Sequence, residues 1–137
     1  MSGPSLRKLH SHRSIHDGAY SEAQNMTEML TQLYRDGRRE HARLAAEALL
    51  EHWETRTLAH AEAEEEGFYQ EVLTGRPELA EQITKLTRDH DLLRKIVAQT
   101  KGLLEEHDVN EEILSRFTAL LLINSIHSRD EESSLLA

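Results

Sequence analysis

Apolar residues recur at steps of three and four along nearly the whole chain, the period of a helix with one buried face. The first run, Ser5 to about Arg35, places His16, Tyr20, Ala23, Met26, Leu30 and Leu33 on one stripe. Asp36-Gly37 stops it, because glycine suits the conformation that ends a helix. The second run, Arg39 to Leu73, carries Ala45, Leu49, Trp53, His60, Glu64 and Phe68, with a slip of one residue near Arg56. Thr74-Gly75-Arg76-Pro77 ends it, and Pro77 opens the third run, where a missing N–H costs nothing. The third, to about Glu105, aligns Leu79, Ile83, Leu86, His90, Leu93, Val97 and Leu104. After a connection at His107 to Asn110, with Asp108 and Glu111 in capping-box spacing, the fourth runs to about Leu135 on Ile113, Phe117, Leu120, Asn124, His127 and Glu131. No segment reads as a strand. Short connections make neighbouring helices antiparallel. The expected fold is all-α, an up-down-up-down antiparallel four-helix bundle, with residues 1–137 forming a single domain.

Composition narrows the function. A chain of 137 residues is long enough to bury a shared core without staples. It has no cysteine, which removes disulfides, thiolate metal sites, iron–sulfur clusters and a Cys nucleophile. The formal net charge of −9 argues against nucleic acid and against an anionic membrane surface, both of which reward clustered Lys and Arg. The longest apolar run, Ala119 to Ile123, is far short of the ~20 residues that span a bilayer. The N-terminal segment has no apolar stretch of a signal peptide. The expectation is a soluble, cytoplasmic protein. Nine histidines are many for this length, and histidine is the commonest metal ligand.

The inner stripes carry the exceptional residues. Each is apolar except at one level, where the first has His16, the second His60 and Glu64, the third His90, and the fourth His127 and Glu131. Buried imidazoles and carboxylates are costly unless paired or bound to a cation. With alternating helix directions, all of these fall at similar height. His60 and Glu64 stand four residues apart, as do His127 and Glu131, so each pair shares one helix face. Four imidazoles and two carboxylates form a mixed nitrogen and oxygen set that suits iron, manganese or zinc better than calcium or magnesium.

The pattern His16, His60-Ala-Glu-Ala-Glu64, His90, His127-Ser-Arg-Asp-Glu131 resembles that of the hemerythrin-like HHE cation-binding family, over essentially the whole chain. The segment His60 to Tyr69, HAEAEEEGFY, looks close to that family's second-helix signature. The resemblance implies two iron ions, oxo- or hydroxo-bridged. It implies bridging by Glu64 and Glu131, with His16 and His60 on one iron and His90 and His127 on the other. It also implies an open position for dioxygen, peroxide or nitric oxide. Oxygen carriers of the family have a second histidine four residues along the third helix, where this chain has Arg94, and an HxxxxD ending where it has HxxxE. The four-His, two-Glu version looks more like the hemerythrin-like domains of iron-sensing ubiquitin-ligase subunits and of bacterial iron-centre repair proteins. Ligand binding or sensing is the leading expectation. A peroxide-consuming or oxygen-activating enzyme, iron storage or donation, and a structural zinc bundle are the alternatives.

Other residues fill in around this set. His10 and His12 compete with His16 as the first-helix ligand, and His16 fits stripe and height better. His41 and His107 read as surface residues, and His52, eight residues before His60 on a nearby face, either as a support behind the ligands or as a neighbour of Trp53. Tyr20 and Asn124 lie one turn from His16 and His127. Glu65 and Glu132 point off the ligand face, towards solvent or the backs of the ligands.

Overall fold

A computed structural model describes residues 3–136, with side chains described from residue 11 onward. Among the described residues every regular element is helical. The order is α1 (Gly3–Arg35), α2 (Arg39–His52), a π-helical turn (Trp53–Leu58), α3 (Ala59–Glu66), α4 (Phe68–Gly75), a 3-10 turn (Pro77–Leu79), α5 (Ala80–Glu106), α6 (Glu111–Glu131) and a second π turn (Glu132–Leu136). Together these make the four rods of a helical bundle, the second rod being α2 to α4. The first rod packs on the second and fourth, and the third on the fourth.

The second rod is where periodicity and structure part. The one-residue slip near Arg56 is the π turn, which inserts an extra residue and rotates the helix beyond it. His60 and Glu64 reach the interior on the rotated segment. A second interruption falls at Gly67 (φ −113°, ψ −84°), where an added Cβ would lie 3.2 Å from the Ala63 carbonyl oxygen. This break moves the inward position by one. The sequence stripe put Phe68 inside, yet Phe68 is half-buried and Tyr69 is fully buried.

The remaining termini follow local chemistry. Gly37 ends the α1 turn with φ 72°, a left-handed conformation that L side chains avoid. Asn110, rather than Asp108, caps α6: its side chain accepts from the Ile113 N–H at 3.0 Å. Two apolar clusters result. The larger joins Leu30, Leu49, Trp53, Leu93, Ile113 and Phe117. The smaller, at the other end, joins Tyr69, Val72, Ile83, Leu86, Leu135 and Leu136.

Candidate metal centre

Between the two clusters lies a layer of imidazoles and carboxylates. His16, His60, Glu64, His90, His127 and Glu131 are all brought together there, and His12 joins them. Two groups could each hold a cation: His12, His16, His60 and Glu64; and Glu64, His90, His127 and Glu131. Glu64 belongs to both. Its Oε2 is 3.6 Å from His60 Nε2 and 3.9 Å from His12 Nδ1, and its Oε1 is 3.7 Å from His90 Nε2. Glu131 spans the groups likewise. Its Oε1 is 3.4 Å from His16 Nε2 and 3.8 Å from His12 Nδ1, and its Oε2 is 3.4 Å from His127 Nε2.

The chemistry of this donor set fits a cation. Glu64, His90, His127 and Glu131 are buried, so their charges lack water to solvate them. His90 Nδ1 contacts Glu65 Oε2 at 2.6 Å, and His127 Nδ1 contacts Asp89 Oδ2 at 2.9 Å. A carboxylate on Nδ1 holds the ring proton there and leaves Nε2 as a lone pair. The two Nε2 atoms face each other at 3.0 Å, a contact that only a shared proton or a cation makes favourable. Five further buried atoms of the layer have no hydrogen-bond partner: His12 Nδ1, His16 Nδ1, His60 Nε2, Glu64 Oε2 and Glu131 Oε1. Buried polar atoms are rarely left so.

Proton affinities reflect the same crowding. Burial, with Glu131 alongside, pushes the Glu64 carboxyl up to about 9. For Glu131 burial acts the same way, but His12, His127 and His16 outweigh it and hold this carboxyl well below the usual range. Burial and the neighbouring His127 push His90 down to about 4. His127 rises to about 9 despite burial, through Asp89 and Glu131. Such opposed shifts among neighbours cluster at functional sites, although structural ion-pair networks also produce them.

Several participants escaped sequence reasoning. His12 was weighed as a rival to His16, and the structure places both in the layer. Their four-residue spacing was the available signal, the same one that joined His60 to Glu64. Tyr69 donates to Glu131 Oε2 at 2.5 Å and stacks on His90 with ring centres 5.6 Å apart. Asp89 acts across helices, a relation no spacing encodes, and Glu65, expected towards solvent or the backs of the ligands, stands at the back of His90. Arg94, read only as a lost ligand, reaches Glu65 Oε2 at 2.8 Å. His41 and His107 are exposed, as expected. His52 lies over the Ala19 carbonyl at 3.4 Å, and the His10 side chain is outside the described residues. Asn124, His16, His60 and Ala61 line a cavity of about 40 Å³ beside the layer. A single water needs roughly 10–15 Å³, so this cavity has room for molecules of a few atoms. No described helix is long and apolar enough to cross a membrane.

Residues 15–137 match the family described as Hemerythrin HHE cation binding domain. His12 falls just before the matched span. No curated protein and no solved structure is a match.

Proposed function

The chain belongs to the hemerythrin HHE cation-binding domain family, and from that premise we propose that it is a non-haem di-iron protein that binds or senses dioxygen, nitric oxide or peroxide. One observation carries this reading: Glu64 and Glu131 each direct one oxygen to His12, His16 or His60 and the other to His90 or His127. Two carboxylates so placed would bridge two ions. Five imidazoles would complete the set, His12, His16 and His60 holding one ion and His90 and His127 the other. Iron suits this mixture of imidazole and carboxylate and, when bound, supplies redox-linked affinity for small oxygen and nitrogen ligands.

The chain's own residues shape what can reach it. The small cavity beside Asn124 and His60 is of a size that suits diatomic and peroxide-sized ligands. Burial of Tyr69 and His90 at 1 % and 2 % exposure keeps bulk water from the inner side.

We read the four rods as running alternately up and down. His12 faces Phe68 whereas Ala19 meets His52, so earlier residues of α1 meet later ones of the second rod. Arg43 meets Leu104 whereas Glu65 meets Arg94, and Gln99 meets Arg116 whereas Asp89 meets His127. Each pair of sequences runs in opposite senses.

The test is metal content and the optical spectrum of anaerobically reduced protein, followed by admission of dioxygen. About two irons per chain and a reversible new absorption band are expected. Irreversible oxidation with turnover of added peroxide would replace the binding role by an enzymatic one. Protein that takes up no iron under ample supply would overturn the reading.

A further inference from the structure

We propose that the centre is built in two unequal halves that load in order. The half formed by His90 and His127 is set in advance and takes the first divalent first-row cation, and the half formed by His12, His16 and His60 closes on the second. This rests on the two-ion reading above and adds to it an order and the residues that impose it.

The halves differ in what stands behind the imidazoles. In the inner half both rings are fixed from the rear: Glu65 lies on His90 at 2.6 Å, Asp89 on His127 at 2.9 Å, and Arg94 holds Glu65 at 2.8 Å. Their side chains are 2 % and 4 % exposed. Tyr69 fixes Glu131 Oε2, the oxygen nearest this half. In the outer half no ring has a carboxylate behind it at hydrogen-bond distance as short as those. His12, His16 and His60 side chains are 14 %, 10 % and 30 % exposed. The carboxylate beside His16 Nδ1, Glu132, stands at 3.5 Å and is shared with Arg13. Of the five atoms of the layer without a hydrogen-bond partner, His12 Nδ1, His60 Nε2, Glu64 Oε2 and Glu131 Oε1 face this half, and His16 Nδ1 lies behind its ring towards Glu132.

A carboxylate behind a ligating histidine contributes about 10- to 100-fold to metal affinity, because the ring is oriented before binding. The inner half has two such supports. The outer half has one more imidazole, but all three rings must be immobilised when the ion arrives. The first ion prepares the second site as well. It neutralises and fixes Glu64 and Glu131, whose free oxygens, Oε2 and Oε1, then point at the outer half. Arg94 is in this scheme a positioning residue, acting on His90 through Glu65.

The experiment is an anaerobic titration of the chain with Fe2+ alone against a competing chelator, reading ions bound per chain. Two steps at least about ten-fold apart in Kd are expected. Arg94→Ala should weaken the first step about 10-fold and Asp89→Asn by about 10- to 100-fold, with helical content checked by circular dichroism. Arg94 touches only Glu65 and Asp91 among its hydrogen-bond partners, so its variant tests the idea without disturbing the core. His12→Ala should remove the second step and leave the first. Two ions taken up in one step, or loss of the first step in His12→Ala, would overturn the order alone. Native protein that saturates at one ion would overturn the two-ion reading and the order with it.

Discussion

Leu30 and Glu131 are both wholly buried, at 0 % exposure, yet burial means opposite things for them. Leu30 sits in the larger apolar cluster with Leu49, Trp53 and Phe117. There each Å² removed from water contributes roughly 25 cal/mol. Glu131 sits in the polar layer, where removal from water costs free energy that only a proton, a charged partner or a cation offsets. The bundle is thus divided along its length. One end stabilises the fold, and the layer near the other end is held in a costly arrangement by the helices that the first end secures. Fold and site are separable in energy although they share the same helices.

The largest expected effect tests the apolar end. Phe117→Ala removes a fully buried ring and should lower unfolding free energy by about 3–5 kcal/mol. Chemical denaturation should give the same loss with and without Fe2+, since Phe117 contributes no ligand. A loss that Fe2+ largely restores would show that the two regions are not separable.

The next effect comes from the layer and has the reverse signature. Glu64→Gln keeps the side-chain shape but cannot bridge two cations as a carboxylate does. Metal-free protein should melt no lower than the native chain, because a crowded buried carboxyl has been removed. Fe2+ at a hundred-fold excess over its Kd should stabilise native protein by about 2.7 kcal/mol, and the variant far less. A variant that gains as much as native protein from Fe2+ would exclude Glu64 as a bridge.

The same division explains what the sequence made legible. The apolar stripes of α5 and α6 fall where periodicity puts them, since Ile83, Leu86, Leu93, Val97, Ile113, Phe117 and Leu120 are all buried. Long helices without interruption keep phase. The second rod does not, because the π turn at Trp53–Leu58 and the break at Gly67 each change the phase. Tyr69 was hidden for that reason. The polar residues His16, His60, Glu64, His90, His127 and Glu131 were legible because polar residues on an inner face conflict with their surroundings. Asp89, Glu65 and Arg94 carry no such conflict. They are partly exposed charged residues on helix flanks, and only the packing of α5 against its neighbours gives them partners. The four-residue spacing of His12 and His16 puts both on one helix face, so they join the layer together rather than as alternatives.

The smallest effect lies where the regions meet. Tyr69 belongs to the lesser apolar cluster by its ring and to the polar layer by its hydroxyl. Burial and the adjacent Glu131 push its phenol well above the ordinary tyrosine range, so it stays a neutral donor. Tyr69→Phe keeps the ring stacked near His90 and removes one hydrogen bond to a buried carboxylate. The expected loss in metal-free protein is about 1.5 kcal/mol, the low end for a bond to a charged group, because His127 and His16 remain close to Glu131. Fe2+ should shrink that loss, since a cation beside Glu131 takes over part of the hydroxyl's role. Thermal melts of native and Tyr69→Phe protein, with and without Fe2+, measure both numbers. A loss unchanged by Fe2+ would place Tyr69 with Phe117 as a packing residue. A loss confined to the metal-free form would place it in the layer and tie the stability of that end of the bundle to the charge at Glu131.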